Sequence, residues 1–161
     1  KRSVIMAKVI LCRGIQGSGK TTWARRWVLE DPEHRVRFNN DDIRNMLGQY
    51  WVPKREKLVK ALYAEFMAQA VEYGYDIVVD NMNLSTETVN EIKQFVEFVN
   101  SESKYHYTIE FKDFWTPVEE CIRRDAARPN PIGEAVIINT YNRYKSIIEG
   151  QNDTARNLCK S

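Results

Sequence analysis

Residues Gly14 to Thr21 read G-I-Q-G-S-G-K-T, entered from the apolar run Val9-Ile10-Leu11-Cys12 and followed by a helix-forming stretch, Thr22 to Leu29. A strand that breaks into glycines and then into a helix aims successive backbone N–H groups at one point. The helix N-terminus adds its positive dipole end there. Gly14 and Gly19 supply positive φ or close backbone approach at little steric cost. With every position of a Walker A loop filled and both flanks correct, an ordinary glycine turn is the weaker account. The loop implies an α/β architecture and a nucleoside triphosphate ligand. Gly14, Gly17, Ser18, Gly19, Lys20, Thr21 and Thr22 are expected around the phosphates. Lys20 would reach the β- and γ-phosphates, and the Thr21 hydroxyl would hold Mg²⁺.

The rest of the chain alternates strand and helix. Strands are expected at Lys8–Cys12, Arg35–Phe38, Asp76–Asp80 and Tyr105–Phe111. A helix from Lys20 to Leu29 stops before Asp31-Pro32, and Asn39-Asn40-Asp41-Asp42 opens a short one that stops at Gly48. Lys54 to Tyr73 carries Leu58, Leu62, Phe66, Ala70 and Tyr73 at helical spacing, with Gly74 placed for a left-handed end. Ser85 or Thr88 would cap the helix that runs to Asn100, Thr88 with Glu91 as a capping box. Thr116-Pro117-Val118-Glu119 reads as N-cap, Pro and first-turn acid of a helix reaching Ala127. A last helix, Glu134 to Ile148, is expected to end at Gly150, with a polar tail over 151–161 that frays. This alternation predicts a small parallel sheet with helices on both faces, and ligands gathered at the carboxyl ends of its strands.

A chain of 161 residues fits one domain, 1–161, and residues 1–5 read as an addition ahead of a natural start at Met6. The net charge of +2 means that nucleic-acid binding would need a local basic patch. No run approaches the ~20 apolar residues of a membrane span. Cys12, Cys121 and Cys159 lack metal-ligand spacing and read as reduced thiols, so a cytoplasmic protein is expected.

Acidic residues pass the strand-end filter at Asp41 and Asp42, Asp80 and Asp113. Asp80 closes an apolar strand, where it could accept from Mg²⁺-bound water or from Thr21, or simply make a turn. Asp41 and Arg44, three apart at a helix start, share a face. Such a carboxylate can take a proton from an attacking hydroxyl while the guanidinium grips a phosphate. Asp42 is the rival base, and spacing does not choose between them. Arg124 and Arg128 project together from a segment broken by Pro129 and Pro131, a lid that could neutralise a transferring phosphoryl group or merely a charged helix end. Asn81-Met82-Asn83 is a substrate contact or a turn. Tyr50-Trp51-Val52-Pro53 could stack a base, but plugging a core edge is the preferred reading. Lys54-Arg55-Glu56-Lys57 with Lys60 reads as a solvated helix face rather than a phosphodiester track. His34 and His106 have no evident role.

With these pieces in order, Gly14–Arg25, N-N-D-D-I-R (Asn39–Arg44), D-N-M-N-L (Asp80–Leu84) and R-D-A-A-R (Arg124–Arg128), the chain resembles the kinase domain of phage-type 5′-hydroxyl polynucleotide kinases. The resemblance implies a four-stranded P-loop kinase fold with an Arg-rich lid, and ATP-dependent phosphorylation of the 5′-hydroxyl of DNA or RNA. It implies a role in nucleic-acid repair, Mg²⁺ as the metal, and single-stranded or end-exposed nucleic acid as partner. For a phage-encoded protein the location would be the host cytoplasm. It makes Asp41 the general base and Arg44 the ligand of the phosphate 3′ of the acceptor nucleoside. Lys20, Arg124 and Arg128 would serve the donor phosphates, and Asp80 with Asn83 the substrate or metal network. Relatives with a 3′-phosphatase domain carry a D-x-D-x-T motif, which this sequence lacks.

Two other readings of the residues remain. A small-molecule kinase would phosphorylate a nucleoside, sugar or antibiotic hydroxyl through the same loop. A nucleotide-dependent binding module would change its loops with the bound nucleotide and transfer nothing.

Overall fold

The computed structural model describes residues 4–160, with side chains over 4–150. Four parallel strands form one sheet in the order β2-β3-β1-β4. They are β1 (Ile5–Arg13), β2 (Arg35–Phe38), β3 (Asp76–Val79) and β4 (Tyr105–Asp113). Six helices accompany them: α1 (Lys20–Glu30), α2 (Asn40–Met46), α3 (Glu56–Glu72), α4 (Thr86–Glu102), α5 (Val118–Ala126) and α6 (Glu134–Lys160), with a 3₁₀ turn at Pro53–Arg55. The central strands are apolar on both faces because helices cover both. Val9, Leu11, Ile77 and Val79 face Met67, Ala70 and Val71 of α3 and Ile92, Val96 and Val99 of α4. Ile10, Cys12 and Val78 face Ala24 and Trp27 of α1. A third cluster under the carboxyl edge joins Ile15 and Leu84 to Cys121 of α5 and to Ile137 and Ile148 of α6. Register pairs Leu11 with both Val79 and Phe111, so the strand ends form one ledge.

Five local expectations need correction. On α3, Val59, Met67, Ala70 and Val71 are buried, while Leu58 and Tyr73 of the expected stripe are exposed. Both sets fit a 3.6 period, and packing against the sheet selected the rotation. Helix α4 starts at Thr86, which puts Thr88 inside it, so the capping box does not form. At α5 the cap position falls to Pro117, and the Thr116 hydroxyl instead donates to the Ser18 carbonyl at 2.9 Å. Helix α6 continues through Gly150 to Lys160 rather than ending there. A helix interior tolerates glycine at a cost of about 1 kcal/mol, and no left-handed turn is made here. Strand β1 begins at Ile5, paired with Tyr105, ahead of the expected edge. By contrast Gly74 does take a left-handed conformation, φ 75°, after α3. Among the described residues no helix is long and apolar enough to cross a membrane.

Candidate active site at the carboxyl edge of the sheet

Strand β1 delivers the phosphate loop, and two of its glycines are required by contact. A Cβ on Gly17, which sits at φ 79°, would lie 2.6 Å from the Cys121 carbonyl oxygen. One on Gly14 would lie 2.7 Å from Ser18 Oγ and 2.8 Å from the Phe114 carbonyl oxygen. The loop is pinned by Gln16, which donates to Thr140 Oγ1 of α6 at 3.2 Å, and by the Thr116 bond to Ser18. Inside it Lys20 is buried and donates to the carbonyls of Gly14 at 2.7 Å and Ile15 at 2.8 Å. Burial pulls its ammonium down to about 8, against the opposing pull of Asp80. A cation held over main-chain oxygens at partial desolvation gains strongly from an arriving phosphate anion.

Asp80, at the end of β3, is fully buried. Its Oδ2 accepts from Arg37 Nε at 2.8 Å and pairs with Nη2 at 2.7 Å, while Oδ1 has no hydrogen-bond partner among the described residues. Arg37 lies on β2 and its Nη1 reaches Asp42 Oδ2 at 2.5 Å. The guanidinium therefore bridges the ends of two strands, a role that sequence reading had not assigned to it. Two arginines alternating inside a four-residue strand, Arg35 and Arg37, were the signal. Asn83 is buried, and its amide nitrogen donates to the carbonyls of Cys12 at 2.7 Å and Val79 at 3.0 Å. It thus staples the ends of β1 and β3, from a backbone at φ 50°.

Asp41 and Asp42, adjacent in sequence, enter different networks. Asn39 caps α2 by accepting from the Asp42 amide at 2.9 Å, and its own amide group donates to the Asp80 carbonyl. The cap ties the helix start to the end of β3. Asp41 Oδ1 accepts from Arg44 Nη1 at 2.6 Å and from the Tyr50 hydroxyl at 3.0 Å. The Asp41 side chain is half-exposed. Arg44 is clamped a second time, by Glu56 on both Nε and Nη2 at 2.9 Å. These bonds raise the guanidinium further above its ordinary value, against the effect of burial, and Asp41 adds to them. They also lower the Glu56 carboxyl.

Two preferred readings of this region are corrected. Tyr50 and Trp51 do not plug a core edge, being 46% and 56% exposed. Nor is Lys54–Lys57 only a solvated face, since Glu56 holds Arg44 and Arg55 donates to the carbonyls of Leu47 and Gln49. An (i, i+12) partner such as Glu56 leaves no periodic trace in a sequence.

Arg124 and Arg128 reach the phosphate loop. They line a cleft of about 460 Å³ with Gly17, Gly19, Thr22, Trp23 and Arg26. Arg26 and Trp23 join it, Arg26 lying four residues after Thr22 and three after Trp23 on α1 and so beside each of them. Glu120 accepts from Arg124 Nε at 3.0 Å and from Arg123 at 2.7 and 2.5 Å. Asp125 is buried and accepts from the amides of Ile132 at 3.0 Å and Gly133 at 2.9 Å, which closes the base of the segment after α5. Asp113 pairs with Arg13 at 2.6 Å, which fastens β4 to β1.

Comparisons with known proteins found likenesses in family and fold. A family model described as an AAA domain matches residues 9–149. A chain in the structure of the Pnkp1/Rnl/Hen1 RNA repair complex superposes with a TM-score of 0.74 at 23% identity, over 91% of this chain and 46% of that one. A second structure of a Pnkp1/Rnl/Hen1 complex gives 0.59 at 24% identity, over 78% and 42%. Midasin from Dictyostelium discoideum is 33% identical over 85 residues, which are 51% of this chain and 1% of midasin. The chain thus spans less than half of the matched chains in the repair complexes and a hundredth of midasin. The architecture is a four-stranded parallel α/β fold with a phosphate loop, in keeping with the AAA domain match.

Proposed function

The chain belongs to the AAA domain family, and from that premise we propose that it transfers the γ-phosphate of ATP to the 5′-hydroxyl end of DNA or RNA. The observation that carries this is the pairing of Asp41 with Arg44 beside the strand ends, on a carboxylate left half-exposed. A nucleotide switch needs no such acceptor pair. Arg44 uses three of its five N–H groups on Asp41 and Glu56 and also contacts the Tyr50 hydroxyl, and a phosphate would take what is left. Asp41 Oδ2 would accept the proton of the attacking hydroxyl.

On the donor side Lys20 and the loop amides of Gly14, Gly17, Ser18, Gly19 and Thr22 would hold the triphosphate, and Arg124 and Arg128 would close over it. Thr21 and Asp80 fit a divalent cation: the buried, unpartnered Asp80 Oδ1 is an acceptor suited to metal-bound water. Bound there, Mg²⁺ would supply neutralisation of the triphosphate charge. The likeness to a chain of an RNA repair complex supports a nucleic-acid acceptor as part of this proposal.

The test is incubation with γ-labelled ATP, 5′-hydroxyl oligonucleotides of both kinds and a panel of small alcohols. Label at oligonucleotide 5′ ends is the expected result. Label on a small alcohol alone would move the chain to the small-molecule kinases, and release of inorganic phosphate alone would make it a switch.

A further inference from the structure

The loop between α2 and the 3₁₀ turn holds two large aromatic side chains out in solvent, against the usual cost of exposing apolar area. Trp51 is 56% exposed and Tyr50 46%. Neither is loosely placed. The Arg55 guanidinium donates to the carbonyls of Leu47 and Gln49 and so fixes the backbone ahead of them. The Tyr50 hydroxyl donates to Asp41 Oδ1 at 3.0 Å. The Arg44 guanidinium carbon lies 6.0 Å from the centre of the Trp51 ring.

We infer that Trp51, supported by Tyr50, is a stacking platform for the terminal nucleobase of the acceptor strand. This rests on the polynucleotide kinase reading above and gives it a recognition element. The argument is one of adjacency. A phosphate bound by Arg44, whose guanidinium carbon is 6.0 Å from the indole centre, places the attached nucleoside within a single nucleotide of the indole. Every base has a π-face, so one fixed ring accepts any terminal base and discriminates only against its absence. Pre-ordering of the loop by Arg55 removes much of the entropy that would otherwise oppose stacking. Because Tyr50 shares Asp41 Oδ1 with Arg44, engagement of the base and orientation of the carboxylate are mechanically coupled. A docking face for a protein partner would not need to be tethered to this carboxylate, which is why a nucleobase is the occupant assigned.

The experiment compares two single-stranded 5′-hydroxyl oligonucleotides, identical except that one has an abasic first nucleotide. The readout is the ratio of kcat/KM for the base-bearing over the abasic acceptor. The native protein should prefer the base-bearing strand by roughly 10-fold or more, in the range that a single stacked base supplies. Trp51→Ala should bring that ratio close to one, and Trp51→Phe should retain most of it. A native ratio near one, or a ratio unchanged in Trp51→Ala, overturns the platform while leaving the kinase reading standing. Absence of label from both oligonucleotides overturns both.

Discussion

Glu56 grips Arg44 with both carboxylate oxygens, Oε1 on Nε and Oε2 on Nη2, each at 2.9 Å. Fork-to-fork pairing fixes the plane of a guanidinium as well as its place. With Asp41 on Nη1, the three residues set the direction in which the remaining N–H groups point. Glu56→Gln keeps the size but loses the charge and one acceptor. It should lower kcat/KM for a 5′-hydroxyl oligonucleotide on the order of 10-fold, with the KM for ATP unchanged. Steady-state kinetics with each substrate varied in turn decides the matter. A rise in acceptor efficiency would show that Glu56 competes with the phosphate rather than positioning Arg44.

Asp41 and Asp42 are separated by what their carboxylates touch. Asp42 is tied to Arg37 on β2, while Asp41 is held through Oδ1 by Arg44 and Tyr50. Asp41→Asn should reduce kcat by about 10²- to 10⁴-fold, the usual span for a lost general base, with nucleotide affinity retained. Asp42→Asn should lose far less. Single-turnover transfer beside equilibrium binding of ATP to both variants is the measurement, and the reverse order of severity would exchange their roles.

Lys20 carries a pH signature. Burial brings its folded value from 10.5 to about 8. A triphosphate favours the charged form, so binding raises that value and takes up a proton above pH 8. Affinity for ATP should hold below pH 8 and then fall by up to tenfold per unit as the pH rises. Titration calorimetry at pH 9 in buffers of different ionisation enthalpy should register the uptake. For the protein without nucleotide the sign is opposite. A lysine with a lowered folded value is a liability while charged, so its unfavourable contribution to stability shrinks as pH rises from about 8 toward 10.5.

The Arg37–Asp80 pair is a buried one, at 14% and 0% side-chain exposure. Arg37→Ala would leave the buried Asp80 carboxylate without its two N–H donors. A loss of roughly 3–5 kcal/mol is expected, as for other buried pairs broken on one side. Asp80→Asn removes the charge as well as the pairing and should cost less stability than Arg37→Ala, yet depress Mg²⁺-dependent transfer. Urea unfolding of both variants, with transfer assayed on each, separates the structural from the chemical contribution.

The phosphate loop, the strand–helix alternation and the bounds of β2 were readable in the sequence because each is a short-range pattern. Glycines mark the loop, apolar runs mark the buried strands, and Asn39 at the head of D-D-I-R marks a helix start. The face of α3 was misread because Leu58 and Val59 belong to two stripes of equal period, and only the sheet beneath decides between them. The same limit hid Arg37, Glu56, Trp23 and Arg26 from the site.

What the residues fixed unaided, then, was the anion cradle and the kind of sheet that presents it, since backbone sterics and hydrophobic period act over a few positions. Which carboxylate pairs with which guanidinium was decided by the strand order β2-β3-β1-β4, which lays the ends of β2 and β3 side by side. That neighbourhood joins Arg37 to Asp80 across 43 positions, while the return of α3 past α2 sets Glu56 against Arg44. Charge attracts without regard to sequence distance, so its partners are chosen only once the chain has folded.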